Sequence, residues 1–258
     1  MTRLPPGFRW RRLALAGAIV ATSALVAVGM LKAWRHVPSF YAAALAVEHD
    51  VHERGNRAFL RKVAELVSQR RGEAPWRGSF TAEEINGWLA VDLPKNHSQL
   101  LADGLALPRV CIDGDRVTVG VRHGVGSTND ATGNLADYGS VFSVTASVFT
   151  LAPNRVAVQI HSAHSGLIPL PLDAVIEAIS RAGQQCDVPV VWQHSDGDPV
   201  AIVVLPDAEN DTDILTIDNV TVADGVVRVC AVRGRAANIA RRAAVEATQS
   251  GENSNVQR

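Results

Sequence analysis

The apolar positions of the chain follow three different patterns in turn. From Leu13 to Leu31 nineteen consecutive residues carry no charge. A run of about 20 such residues spans a hydrocarbon core as a helix. Trp10 and Trp34 flank the run at the places where interfacial aromatics belong. Residues 13–34 therefore read as a transmembrane helix, preceded by a basic cytoplasmic tail over 1–12. A cleaved signal peptide usually has a shorter apolar region and a small-x-small cleavage site. Neither feature is present, so the segment reads as a retained anchor. Pro38 then ends or kinks the helix.

Helical spacing follows. Phe40, Val47, Val51, Phe59, Val63, Leu66 and Val67 recur at roughly helical intervals, predicting a juxtamembrane helix within 38–71 that Gly55-Asn56 breaks in two. Arg57, Arg61, Lys62, Arg70 and Arg71 give it a basic side suited to anionic headgroups, although an ordinary solvated face has the same composition. Thr81-Ala-Glu-Glu84 is a capping box, opening a short helix over Ile85, Trp88 and Leu89 that stops before Pro94.

Beyond residue 105 the period falls to two. Val117, Val119 and Val121 alternate with Arg116, Thr118 and Arg122, so the strand turns an apolar face inward and a polar face outward. Asp113-Gly114 joins it to Leu107–Ile112 as a hairpin. A second hairpin pairs Val141–Leu151 with Arg155–His161 across Pro153-Asn154. The third pairs Ile214–Val222 with Val226–Val232 across Asp224-Gly225. Ala201–Leu205 reads as a central strand. One amphipathic helix, Leu172–Ala182, lies between them and is closed by Gly183. Because each hairpin has one apolar face, the expected fold class is α+β: a long, curved antiparallel sheet packed around one or two helices. That domain spans 78–235. A terminal helix and polar tail complete the chain over 236–258.

Charge sharpens the membrane reading. The first 36 residues hold six bases and no acid, leaving nineteen bases against twenty-six acids in the rest. A basic apolar N-terminus on an acidic body predicts a single-pass protein with its N-terminus cytoplasmic and its C-terminal domain extracytoplasmic. The near-neutral total argues against a nucleic-acid partner.

Candidate chemistry is sparse. Cys111, Cys186 and Cys230 lack metal spacing. A disulfide is permitted outside the membrane, but buried free thiols are the default reading. His161 and His164, with His194 further on, form the most metal-like group, yet residues 161 and 164 of a regular strand face opposite ways. The alternating acids Asp207, Glu209, Asp211 and Asp213 lack the glycine and glutamate of a calcium loop. Gly124-Val-Gly126 lacks the lysine of a phosphate loop, and no serine stands in a nucleophile-elbow motif. No cofactor and no catalytic residue is expected, so the protein reads as non-enzymatic.

The segment Phe80-Thr-Ala-Glu-Glu-Ile-Asn-Gly-Trp-Leu-Ala90, the strands from Leu107 to Val119 and Gly166-Leu-Ile-Pro-Leu-Pro171 before a helix together resemble the YpmS family of single-pass bacterial envelope proteins. More loosely they resemble LmeA-type and other tubular lipid-binding domains. The resemblance implies a sheet curled around a helix and a role with envelope lipids, and it brings no catalytic residues. On the residues themselves, Val117, Val119, Val121, Phe142, Val144, Val148, Leu172, Val175, Ile176 and Ile179 would line a groove between sheet and helix. The expected function is binding of a lipid or another apolar ligand there. The alternatives are an anchored scaffold with a closed core that holds envelope protein partners, and, more remotely, a metal-dependent hydrolase built on the histidines.

Overall fold

Tight turns between complementary strands organise the domain. The computed structural model describes residues 29–68, 75–101, 104–124, 138–185, 188–205 and 215–233. Helices α1 (Ser39–Leu45) and α2 (His49–Ser68) precede β1 (Trp76–Thr81) and α3 (Ala82–Asn96). Then come β2 (Leu105–Asp113), β3 (Arg116–Gly124), β4 (Tyr138–Ala152), β5 (Arg155–Ser165) and the short β6 (Ile168–Pro169). Helix α4 (Leu172–Gln185), β7 (Val190–Ser195), β8 (Asp198–Val204), β9 (Leu215–Ala223) and β10 (Val226–Arg233) complete the described elements.

All ten described strands join one sheet through antiparallel pairs: seven run in the order β1-β10-β9-β4-β5-β8-β7, β3 joins β2 to β4, and β6 pairs with β5. The fifteen-residue β4 is its spine. Along one edge β4 pairs first with the β2–β3 hairpin and then, at Phe149–Thr221, with β9. Its other edge belongs to β5. The three expected hairpins are present, closed at Gly114-Asp115, Pro153-Asn154 and Asp224-Gly225. Asn154 takes φ of 60°, a conformation asparagine tolerates. Its side-chain oxygen accepts from the Ile217 amide at 2.8 Å, tying the β4–β5 turn to β9. β8 is central, between β5 and β7.

The α+β expectation is corrected by this count. The described chain is predominantly antiparallel β with few helices, and the longest of them, α2, packs chiefly against α3. The physical reason is that each hairpin satisfies its backbone by pairing with the next, so the sheet grows sideways rather than closing on a helix. No helix among the described residues is long and apolar enough to cross a membrane. Residues 29–34 are helical; residues 13–28 of the expected span lie outside the described residues, as do Cys186, the loops 125–137 and 206–214, and the expected terminal helix and tail.

Three helix limits also move. The break expected at Gly55-Asn56 falls instead at residues 46–48, and α2 runs unbroken through both. Both are buried there because α2 crosses α3: a Cβ on Gly87 would lie 2.6 Å from the His52 carbonyl oxygen, and one on Gly55 would lie 2.7 Å from that of Glu83. These two glycines let the helix backbones touch. The capping box forms, with Glu84 N donating to Thr81 Oγ1 at 3.2 Å and Thr81 N to the Glu84 carboxylate at 3.0 Å. Its helix nevertheless continues past Pro94, which sits in the last turn. Likewise α4 passes through Gly183.

Candidate functional site

Register assigns the residues of the β2–β3–β4–β5 region to two faces, because directly paired residues in an antiparallel sheet share a face. Val117 pairs with Ala146, Val119 with Val144 and Val121 with Phe142, while Val144 pairs onward with Ala163. This is the apolar face. Val148, paired with Val158, continues it. At its β5 side α4 covers it: Ile160, Ala163 and Val175 are buried together, with Val144, Leu170, Leu172, Ile179 and Trp192 packed around them. Trp192 donates its indole N–H to Ser180 Oγ at 2.8 Å, holding α4 to β7. Ile176 is half-buried and outside that cluster.

Over β3 the cover is partial. Val117 and Val121 are half-buried and Val119 is 43% exposed, although all three lie in a strand paired on both sides. The strand members of the expected lining thus share one face, which is closed under α4 at its β5 side and partly open over β3, where Val119 is exposed. Beside Phe142 the open part carries the ring of His123, 5.6 Å away edge-on. At that end Ala33 and Trp34, which follow the apolar N-terminal run, meet the sheet. Leu167 N donates to Ala33 O at 2.8 Å, and the Ala33 and Trp34 backbones lie against Gly166, where a side chain would not fit. Gly166 is next to Ser165, the register partner of Phe142. Met30 and Leu31, just before, are largely exposed.

The opposite face reverses the expected pattern. Arg109 pairs with Gly120, Arg122 with Val141 and Gly120 with Ser143, and all five are buried, with Arg109 at 6% and Arg122 at 4% exposure. The sequence reading turned Arg122 outward and Val119 inward; the structure does the opposite. Gly120 explains the inversion. Its missing side chain leaves the space taken by the ring of Tyr41 from α1, to which a Cβ would come within 2.7 Å. Tyr41 is fully buried and donates its hydroxyl to Leu107 O at 2.6 Å. Leu107 lies in a bulge of β2, between Ala106 and Arg109, with φ of 53°. Arg122 stacks over the Tyr41 ring, 6.0 Å from its centroid. Burial pushes the Tyr41 hydroxyl up to about 12, opposed by the positive charges of Arg122 and Arg109.

Next to this layer, Asn86 on α3 is bonded twice to Val110: its amide N–H donates to the carbonyl at 2.8 Å and its oxygen accepts from the N–H at 2.7 Å. His52 on α2 is buried with neither ring nitrogen hydrogen-bonded. Burial, and then the charge of Arg109, holds its imidazole below the ordinary histidine range. No motif announces this cluster. The only signal was Gly120 within a valine-rich strand, which marks a close approach.

The histidines of the metal reading separate. His161 is a bulge residue of β5 and bonds Ser147 and Asp198, while His194 is exposed on β7. The bulge also cancels the expectation that 161 and 164 face opposite ways: His164 pairs with Ser143, on the face of Ser147, the partner of His161. Among the described residues no group of three or more His, Cys, Asp or Glu is placed to hold a metal ion. Cys111 and Cys230 are free thiols. Comparisons of the chain with protein-family models, with curated proteins and with solved structures gave no match.

Proposed function

We propose that the protein is a single-pass, membrane-anchored envelope protein whose extracytoplasmic domain binds the acyl portion of a lipid on the open apolar face of β3 and β4. The observation that carries this reading is Val119: a mid-strand valine, 43% exposed, on a face whose neighbours continue into a buried core. Apolar surface left open beside an existing hydrophobic core marks a binding surface, since water contact there costs about 25 cal/mol per Å². The uncharged run Leu13–Leu31 supplies the anchor. Ala33 and Trp34, just after the run, lie against Gly166, beside the Phe142 end of the stripe, so a chain leaving the bilayer would reach Phe142 and Val121 first. The resemblance to YpmS-like envelope proteins points the same way.

The test is photochemical. The full chain is placed in nanodiscs containing a phospholipid with a diazirine in its acyl chain, irradiated and digested with trypsin. Adducts are expected on the peptide Val117–Arg122, which trypsin releases intact, and they should disappear in Val119→Asp. Adducts confined to residues 13–34 would refute lipid binding by the domain and leave an anchored scaffold for protein partners.

A further inference from the structure

On the face opposite the apolar stripe, three neighbouring strands bring together side chains that no sequence motif connects. Ser147 on β4 and His161 on β5 meet at 2.9 Å, from Oγ to Nε2. The other ring nitrogen of His161, Nδ1, lies 2.8 Å from Oδ2 of Asp198 at the start of β8. Gln159 donates its amide N–H to the same carboxylate oxygen at 3.3 Å. The order matters. A carboxylate on Nδ1 fixes the proton there and leaves Nε2 as the acceptor facing the serine hydroxyl, which is the arrangement of a nucleophile, a base and an orienting acid.

The sheet places them by an irregularity. Thr145 pairs with Ser162 and Ala146 with Ile160, so His161 has no partner on β4. Bulges re-aim a side chain, and they concentrate beside active sites. Without the extra residue, position 161 would follow the strict alternation and turn away from Ser147. The site is open: the His161 and Asp198 side chains are 21% and 32% exposed.

We propose that Ser147, His161 and Asp198 form a serine-nucleophile site that hydrolyses carboxylic esters. Ser147 Oγ attacks the ester carbonyl carbon while its proton passes to His161 Nε2. The tetrahedral intermediate collapses, breaking the bond to the alcohol oxygen, which takes the proton from Nε2. Water then attacks the acyl-serine, giving its proton to Nε2, and collapse returns that proton to Ser147 and releases the carboxylic acid. Asp198 accepts from Nδ1 and holds the imidazole in place. The amides around Ser147 are engaged on both sides, since β4 lies between β3 and β5. Oxyanion stabilisation therefore falls to a side chain, and the exposed Arg116, directly paired with Ser147 across β3–β4, carries the right charge. An open site with a side-chain oxyanion donor suits small acyl esters with good leaving groups.

The experiment treats the full chain, in mild detergent, with a fluorophosphonate probe and measures p-nitrophenyl acetate hydrolysis alongside. The expected result is a single phosphonyl adduct mapped to Ser147, lost in Ser147→Ala. His161→Gln and Asp198→Asn should slow labelling and hydrolysis by about 100-fold or more, the range a general base supplies. Thr145→Ala, on the same face but outside the hydrogen-bonded chain, should leave both unchanged. A wild-type chain with the circular dichroism of a folded sheet and no adduct would overturn the assignment, as would equal labelling of wild type and Ser147→Ala.

Discussion

The two faces of the β3–β4 ribbon divide cover and polarity in an unexpected way. Around Gly120 one face carries Arg109, Arg122 and Ser143 and is buried under α1; the other carries Val117, Val119 and Val121 and is half open. Alternation in sequence says which residues share a face, but not which face receives a cover. The cover goes where a neighbour can approach, and here Gly120 leaves the gap that Tyr41 occupies. Buried guanidiniums are then tolerated by specific arrangements. Arg122 lies over an aromatic ring, and Arg109 donates to the Pro108 carbonyl at 2.7 Å. On the other face Val117 and Val121 are half-buried and Val119 is exposed.

This contrast can be broken from either side, and the largest effect should come from the helical cover. Asn86→Leu removes both bonds to Val110 and strands a buried N–H and C=O. The expected loss is about 3 kcal/mol, read as a lower denaturant midpoint; an unchanged midpoint would show that α3 is held to β2 by other contacts.

A paired substitution on adjacent residues sharpens the comparison. Gly120→Val drives a side chain into the Tyr41 ring, which is fully buried and tethered to Leu107 and so has little room to yield. It should cost about 2 kcal/mol. Val119→Ser, one residue away on the open face, should change stability by less than about 0.5 kcal/mol while weakening lipid capture. Equal losses in thermal unfolding would mean that the two faces are covered alike.

The smallest effect is a pH dependence. His52 is held below the ordinary histidine value of 6.5 by burial and by Arg109, so the folded state resists a proton that the unfolded chain accepts. Its contribution to stability is therefore complete above pH 6.5 and is lost as the pH falls below that value toward the depressed folded pKa. The slope of stability against pH in this window should flatten in His52→Phe. A slope equal to that of the wild type would assign the dependence to other groups.

Much of the strand content was legible because turns and alternation are local. Asp113-Gly114, Pro153-Asn154 and Asp224-Gly225 mark the three hairpins, and Thr81 with Glu84 marks a helix start that forms as read. β1 and β7 were not foreseen. Arg77, Gly78 and Ser79 give β1 no apolar alternation, and the polar Gln193, His194 and Ser195 leave β7 with the pattern of an edge. Helix ends failed at Pro94 and Gly183, where packing carries the helix past a residue that disfavours it. Of the candidate site, the shared face of Val117, Val119 and Val121 was readable from their period. Its partial exposure was not, and neither was the meeting of Ser147, His161 and Asp198. That meeting depends on one inserted residue in β5.

The sequence by itself determined the period-two segments, the turns that join them, the capped helix and the charge contrast between the first 36 residues and the rest, because each depends on residues within a few positions of one another. The tertiary structure decided which face of the sheet is covered, where α2 crosses α3 and which side chains of β4, β5 and β8 meet. Those outcomes rest on contacts between distant parts of the chain, such as Tyr41 with Gly120, Gly87 with His52 and His161 with Asp198. Steric room and register set them, and neither is encoded in any single stretch of residues.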